Sequence, residues 1–144
     1  QPNKGYYFDF QVFEKYYGRE QTPSTASIPH MYGLAKQIER IEAEGLINRF
    51  TRHKNMAEMT REWALDRGFE LFSEDPYHSN TLTCIDNTRD IDVGDLGKQL
   101  VERGYRISNG YGPLKGKAFR IAHMADTQPE ELVELFDTID DILG

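Results

Sequence analysis

Apolar residues recur at steps of three and four over Ile28, Met31, Tyr32, Ala35, Ile38 and Ile41, which predicts an amphipathic helix. Ser27 stands at its N-cap position, Pro29 falls in its first turn, and Gly45 stops it. A second helix is predicted from Leu46 to about Arg67, where Gly68 ends it. Leu46, Phe50, His53, Ala57, Thr60 and Ala64 lie on one stripe of that helix, with Ile47 and Trp63 beside it. The period then shortens. Phe69–Phe72 and Thr81–Ile85 read as strands on either side of an Asp75-Pro76 turn. A helix from about Val93 to Arg103 carries Leu96, Leu100 and Val101 and closes at Gly104. Tyr105–Ser108 reads as a third strand, and a glycine turn leads into a fourth around Arg120. Thr127-Gln128-Pro129-Glu130 is a capping-box pattern opening the last helix, whose core face is Leu132, Leu135, Phe136, Ile139 and Ile142. This order implies an α+β domain: a small antiparallel or mixed four-stranded sheet with helices packed on one face.

The first twenty residues fit less cleanly. Tyr6, Tyr7, Phe8, Phe10, Phe13, Tyr16 and Tyr17 have mixed spacing, read here as a strand or loop followed by a short helical turn. So much aromatic surface calls for something that covers it.

Composition narrows the class. The chain has 144 residues, enough for one domain with a core, and a formal net charge of -7, which argues against a general nucleic-acid binder. No apolar run approaches membrane-spanning length, and no signal-peptide pattern is present. Cys84 is the single cysteine, so no internal disulfide forms; a reducing, cytoplasmic setting fits.

The candidate chemistry gathers near the C-terminus. In the strand after the glycine turn, Phe119 and Ile121 share one face, while Ala118, Arg120 and Ala122 share the other. Small neighbours around one guanidinium suit a pocket wall that meets a planar carboxylate, with a salt bridge or cation–π contact as the plainer reading. Thr22, Ser24, Thr25 and Ser27 precede a helix N-terminus, where hydroxyls and N–H groups serve either phosphate binding or ordinary capping. His30, His53, His78 and His123 have no metal-ligand spacing, so no metal site is expected, and His53 reads as a buried structural histidine. Cys84 reads as core, and Asp86, Asp90, Asp92 and Asp95 as turn and capping groups.

Taken together, three segments resemble one family. Thr22-Pro23-Ser24-Thr25, then Glu44-Gly45-Leu46, then Arg52-His53 resemble the TPxT…EGL…RH stretch of class V pyridoxal-phosphate aminotransferases. Gly110 to Met124 resembles the GxGxLKGKxFRIGHMG signature of the alanine–glyoxylate and serine–glyoxylate branch, with Ala122 and Ala125 where that branch usually carries glycine. The resemblance implies that the chain is the C-terminal small domain, over 21–144, of an enzyme whose large domain binds pyridoxal 5'-phosphate. Residues 1–20 would lead to that large domain. It implies further that Arg120 holds the α-carboxylate of a small amino acid or 2-oxo acid, and that Thr25, helped by Thr22, reaches the cofactor phosphate of the neighbouring subunit in a homodimer. The family's Schiff-base lysine falls outside the matched region, and Lys4 and Lys15 sit in no comparable context, so the fragment alone is expected to be inactive. The rival expectation is a non-enzymatic α+β module that binds an amino acid or small anion.

Overall fold

The computed structural model describes residues 5, 7 and 9–144; Lys4, Tyr6 and Phe8 lie outside the described residues. The chain divides into two units, Gln1–Ala43 and Glu44–Gly144.

The first unit carries α1 (Phe10–Tyr17) and nearly all of α2 (Ile28–Glu44). α1 begins where the Asp9 carboxylate accepts from the Gln11 N–H at 3.1 Å. Tyr7, Phe10, Phe13 and Tyr17 are exposed, as are Ile28, Met31, Tyr32, Leu34 and Ile38. The amphipathic pattern of α2 is therefore real, yet its apolar side is uncovered.

The second unit runs α3 (Leu46–Asp66), β1 (Glu70–Leu71), β2 (Leu82–Asp86), α4 (Val93–Glu102), β3 (Ser108–Asn109), a 3₁₀ turn (Gly112–Leu114), β4 (Ala118–Ala122) and α5 (Pro129–Leu143). The sheet order is β1-β2-β4-β3 and every pairing is antiparallel. The five-residue strands β2 and β4 occupy the centre, and the two-residue strands β1 and β3 form short edges. The α+β expectation holds, and its sheet is wholly antiparallel.

Alternation along the strands sends Ile85, Phe119 and Ile121 into one core with residues of α3, α4 and α5. Trp63 of α3 stacks on Phe136 of α5 with ring centroids 4.9 Å apart, and Phe69 meets Phe119 edge-on at 5.3 Å. Each such side chain, fully buried, contributes about 1.5–3 kcal/mol.

Several local expectations shift. The inward side of α3 is Arg49, Met56, Ala57, Thr60, Trp63 and Ala64, whereas Leu46, Ile47 and Phe50 are exposed. The first turns of α3 present a buried arginine instead of an apolar stripe, because acids meet that arginine there. Pairing of β3 starts at Ser108, later than the Tyr105 expected, since the Tyr105 N–H is still bonded to the Leu100 carbonyl at the end of α4. The capping box of α5 uses Gln128 and Glu131, one residue on from Thr127 and Glu130. Proline is favoured at the first helical position, so Pro129 makes Gln128 the cap.

Candidate functional site

Arg120 is held in the central strand between two ladders, opposite Cys84 of β2 and Ser108 of β3. Its neighbours Phe119 and Ile121 are buried on the helix-covered face, so Arg120 emerges on the other. There it is half-buried. Nη2 donates to the Asn109 carbonyl at 3.2 Å, and the guanidinium carbon lies over the Tyr111 ring, 4.5 Å from its centroid. Among the described residues no carboxylate pairs with Arg120. A half-buried fork with unmatched donors is suited to a planar anion.

The turn that carries Tyr111 is tightly closed. A Cβ on Gly110 would lie 2.0 Å from the Leu114 carbonyl oxygen, which excludes any side chain without movement. The Gly110 N–H donates to the Ala118 carbonyl at 2.8 Å, and the Leu114 N–H to the Tyr111 carbonyl at 3.0 Å. Asn109 accepts from the Gly116 N–H at 2.8 Å, and Asn87 donates to the Gly116 carbonyl at 2.8 Å. Two asparagines thus bracket the loop from either side.

Cys84 lies on the Arg120 face and is half-buried, not in the core as its strand position suggested. Burial pushes its thiol pKa up; the Arg120 charge opposes this and Asp86 adds to it. A raised thiol pKa disfavours the thiolate, which is the nucleophilic form.

A second cluster joins α3 to the loop after β4. Arg49 Nη1 donates to Glu44 Oε2 at 2.8 Å and Arg49 Nη2 to Asp126 Oδ1 at 3.2 Å. Arg52 Nε donates to Glu44 Oε1 at 2.7 Å, and its Nη atoms donate to the Ala125 and Thr127 carbonyls. His53 Nε2 lies 3.2 Å from the Ala125 oxygen. Hydrogen bonds from Arg52, then from Arg49, hold the Glu44 carboxyl at about 2 despite opposing desolvation. Within the loop Ala125 adopts a left-handed φ of 59°. Sequence reasoning named Glu44 and Arg52-His53 as motif residues without seeing that they pair, and gave Arg49 and Asp126 no role. The available signal was an acid just before the Gly45 break followed by two arginines three residues apart, on one side of the next helix.

His123, one residue beyond β4, is fully buried, with Nε2 2.9 Å from the Thr83 hydroxyl. Nδ1 has no partner in hydrogen-bonding geometry, although the nearby Asn80 backbone favours the charged form. Desolvation dominates and pushes its pKa below the usual histidine value. His53 is half-buried, bonded to backbone as a structural histidine would be.

Thr22 and Thr25 belong to the first unit. With Tyr17, Glu20, Gln21 and Ser24 they line an open concavity of about 890 Å³. The Thr22 hydroxyl donates to the Ser24 carbonyl at 2.6 Å, while Thr25 is exposed. Ser27 contacts His30 Nδ1 through its hydroxyl. Among the described residues no group of histidine, cysteine and acidic side chains could hold a metal ion, and no helix is long and apolar enough to cross a membrane.

No family model matches the chain. An uncharacterised aminotransferase of Methanocaldococcus jannaschii is 32% identical over 132 residues, covering 90% of this chain and 34% of that protein. A serine–glyoxylate aminotransferase of Methylorubrum extorquens is 31% identical over 123 residues, covering 83% of this chain and 30% of its own length. Among solved structures, an alanine–glyoxylate aminotransferase from Nostoc sp. superposes with a TM-score of 0.81 at 29% identity, covering 97% of this chain and 38% of that one. The chain therefore spans about a third of the length of the relatives it matches. By sequence and by fold, the chain matches the C-terminal portion of the glyoxylate aminotransferases, class V pyridoxal-phosphate enzymes.

Proposed function

We propose that this chain is the small-domain part of a pyridoxal-phosphate-dependent aminotransferase that moves an amino group between a small amino acid and a 2-oxo acid. Residues 21–144 form that domain, and residues 1–20 lead to the large domain. The observation that carries the reading is Arg120: a half-buried guanidinium on the face away from the helices, with no carboxylate partner among the described residues.

In this reading Arg120 takes the α-carboxylate of both substrates through a charge-assisted pair worth about 1.5–3 kcal/mol. The protonated Cys84 and the small Ala122 flank it without competing for the anion. The loop of Thr22 and Thr25 fits a phosphate through exposed hydroxyls. Thr25 contributes the contact, and Thr22, bonded to Ser24, holds the loop shape. Glu20 lines the same concavity, and the phosphate that Thr25 reaches belongs to the neighbouring subunit of a homodimer. When bound, pyridoxal 5'-phosphate supplies the electron sink for the transfer, and the protein supplies orientation and electrostatics. The single cysteine accords with a cytoplasmic setting.

The test uses the full-length protein with its lysine-bearing domain. Arg120→Lys raises KM for the amino donor and for the oxo acid, because a point charge cannot replace the planar fork. Unchanged kinetics would remove Arg120 from the site. The 144-residue chain alone neither transaminates nor binds amino acids; amino-acid binding by it alone would favour an independent ligand-binding module.

A further inference from the structure

Among the described residues no carboxylate holds Arg120. Among the described residues its placed contacts are one hydrogen bond, to the Asn109 carbonyl, and the face of Tyr111. Tyr111 is 77% exposed, so burial does not account for where it sits. Its backbone is set by the closed turn, in which Gly110 leaves no room for a Cβ and the Tyr111 carbonyl accepts from the Leu114 N–H. The guanidinium carbon comes to rest over the ring face, 4.5 Å from its centroid. A carboxylate approaches a guanidinium in its plane, along the N–H edge, and a ring packed against the cation restricts the positions from which that edge can be presented.

We propose that Tyr111 is the positioning residue for carboxylate recognition. Its ring face orients the Arg120 fork, and the Asn109 carbonyl fixes one end of it. This rests on the reading of Arg120 given above. The ring does the work and the phenolic hydroxyl does not, because the contact is between a cation and a π face. An arginine stem without such a platform samples several rotamers, and a carboxylate must then order it on binding.

The experiment compares Tyr111→Phe, Tyr111→Leu and Arg120→Lys in the full-length protein. It reads KM, kcat and the inhibition constant of propionate, a carboxylate lacking the amino group. Tyr111→Leu is expected to weaken propionate and both substrates about threefold to tenfold with kcat little changed, the size expected for a partly desolvated cation–π contact. Tyr111→Phe is expected to behave as the parent. The urea midpoint of Tyr111→Leu is expected to match the parent's, since the ring is exposed. If Arg120→Lys weakens propionate but Tyr111→Leu does not, the Tyr111 proposal fails while the reading of Arg120 stands. If Arg120→Lys leaves propionate binding intact, that reading fails as well. Tyr111→Phe as impaired as Tyr111→Leu assigns the effect to the hydroxyl and overturns the proposal. So does a Tyr111→Leu variant whose urea midpoint falls with its affinity, because the ring then serves only the loop.

Discussion

Replacing Gly110 with alanine puts a methyl group where the backbone already is. The new Cβ would lie 2.0 Å from the Leu114 carbonyl oxygen, 2.5 Å from its carbonyl carbon and 3.1 Å from the Ala118 oxygen. Carbon and oxygen normally approach no closer than about 3.3 Å, so the turn must open by more than about 1 Å. Opening strains two hydrogen bonds that close the turn, Gly110 N–H to the Ala118 carbonyl at 2.8 Å and Lys117 N–H to the Leu114 carbonyl at 3.0 Å. Overpacking costs about 1–3 kcal/mol and each lost bond about 1 kcal/mol, which places Gly110→Ala at roughly 2–5 kcal/mol of lost stability. Gly112→Ala is the matched control. Its Cβ meets nothing within 4 Å, but its φ is +52°, so it costs about 1 kcal/mol from backbone conformation alone. Trp63 is the chain's single tryptophan and lies buried against Phe136, so its fluorescence during urea unfolding reports the second unit. Gly110→Ala and Gly112→Ala agreeing within about 0.5 kcal/mol would refute the steric reasoning. The same displacement carries Tyr111 away from Arg120, so carboxylate affinity should fall with stability in Gly110→Ala.

Two further outcomes follow from the latch between α3 and the loop after β4. Glu44 titrates at about 2 in the folded chain against an ordinary 4.5, so the unfolded chain takes up the proton first. Its pairing therefore stabilises the fold fully above about pH 4.5, and that contribution is lost as pH falls from there toward about 2. Urea midpoints of the parent should fall more steeply across that window than those of Glu44→Gln; parallel profiles would contradict the pairing. Ala125 holds a left-handed φ of 59°, so Ala125→Gly should raise stability by about 0.5–1 kcal/mol in the same urea assay, and a loss would show that its methyl group packs usefully.

Helices were readable because their signal is local. Periods of three and four marked α2, α3, α4 and α5, and glycines marked several of their ends. Alternation around Arg120 likewise separated Phe119 and Ile121 from the arginine, and the structure keeps that separation. The exposed leading turns of α3 were not readable. Arg49 is buried there because Asp126, 77 positions away, and Glu44 neutralise it, and no window of sequence contains that meeting. Cys84 was misjudged for a related reason. Its strand has two faces, and which one the helices cover is decided by α3, α4 and α5 together.

The amino-acid sequence by itself determined the types of the elements from α2 onward apart from the 3₁₀ turn, the turn glycines and the side of β4 from which Arg120 projects, since each depends on neighbours within a few residues; the eight-residue helix α1 stood where it read only a short helical turn. Only the tertiary structure decided that Tyr111 lies on the guanidinium, that the Asn109 carbonyl accepts a hydrogen bond from it and that Glu44 ties two arginines to the loop beyond β4. Those contacts depend on how separate elements close against one another, and that closure is set by burial across the whole sheet rather than by local spacing.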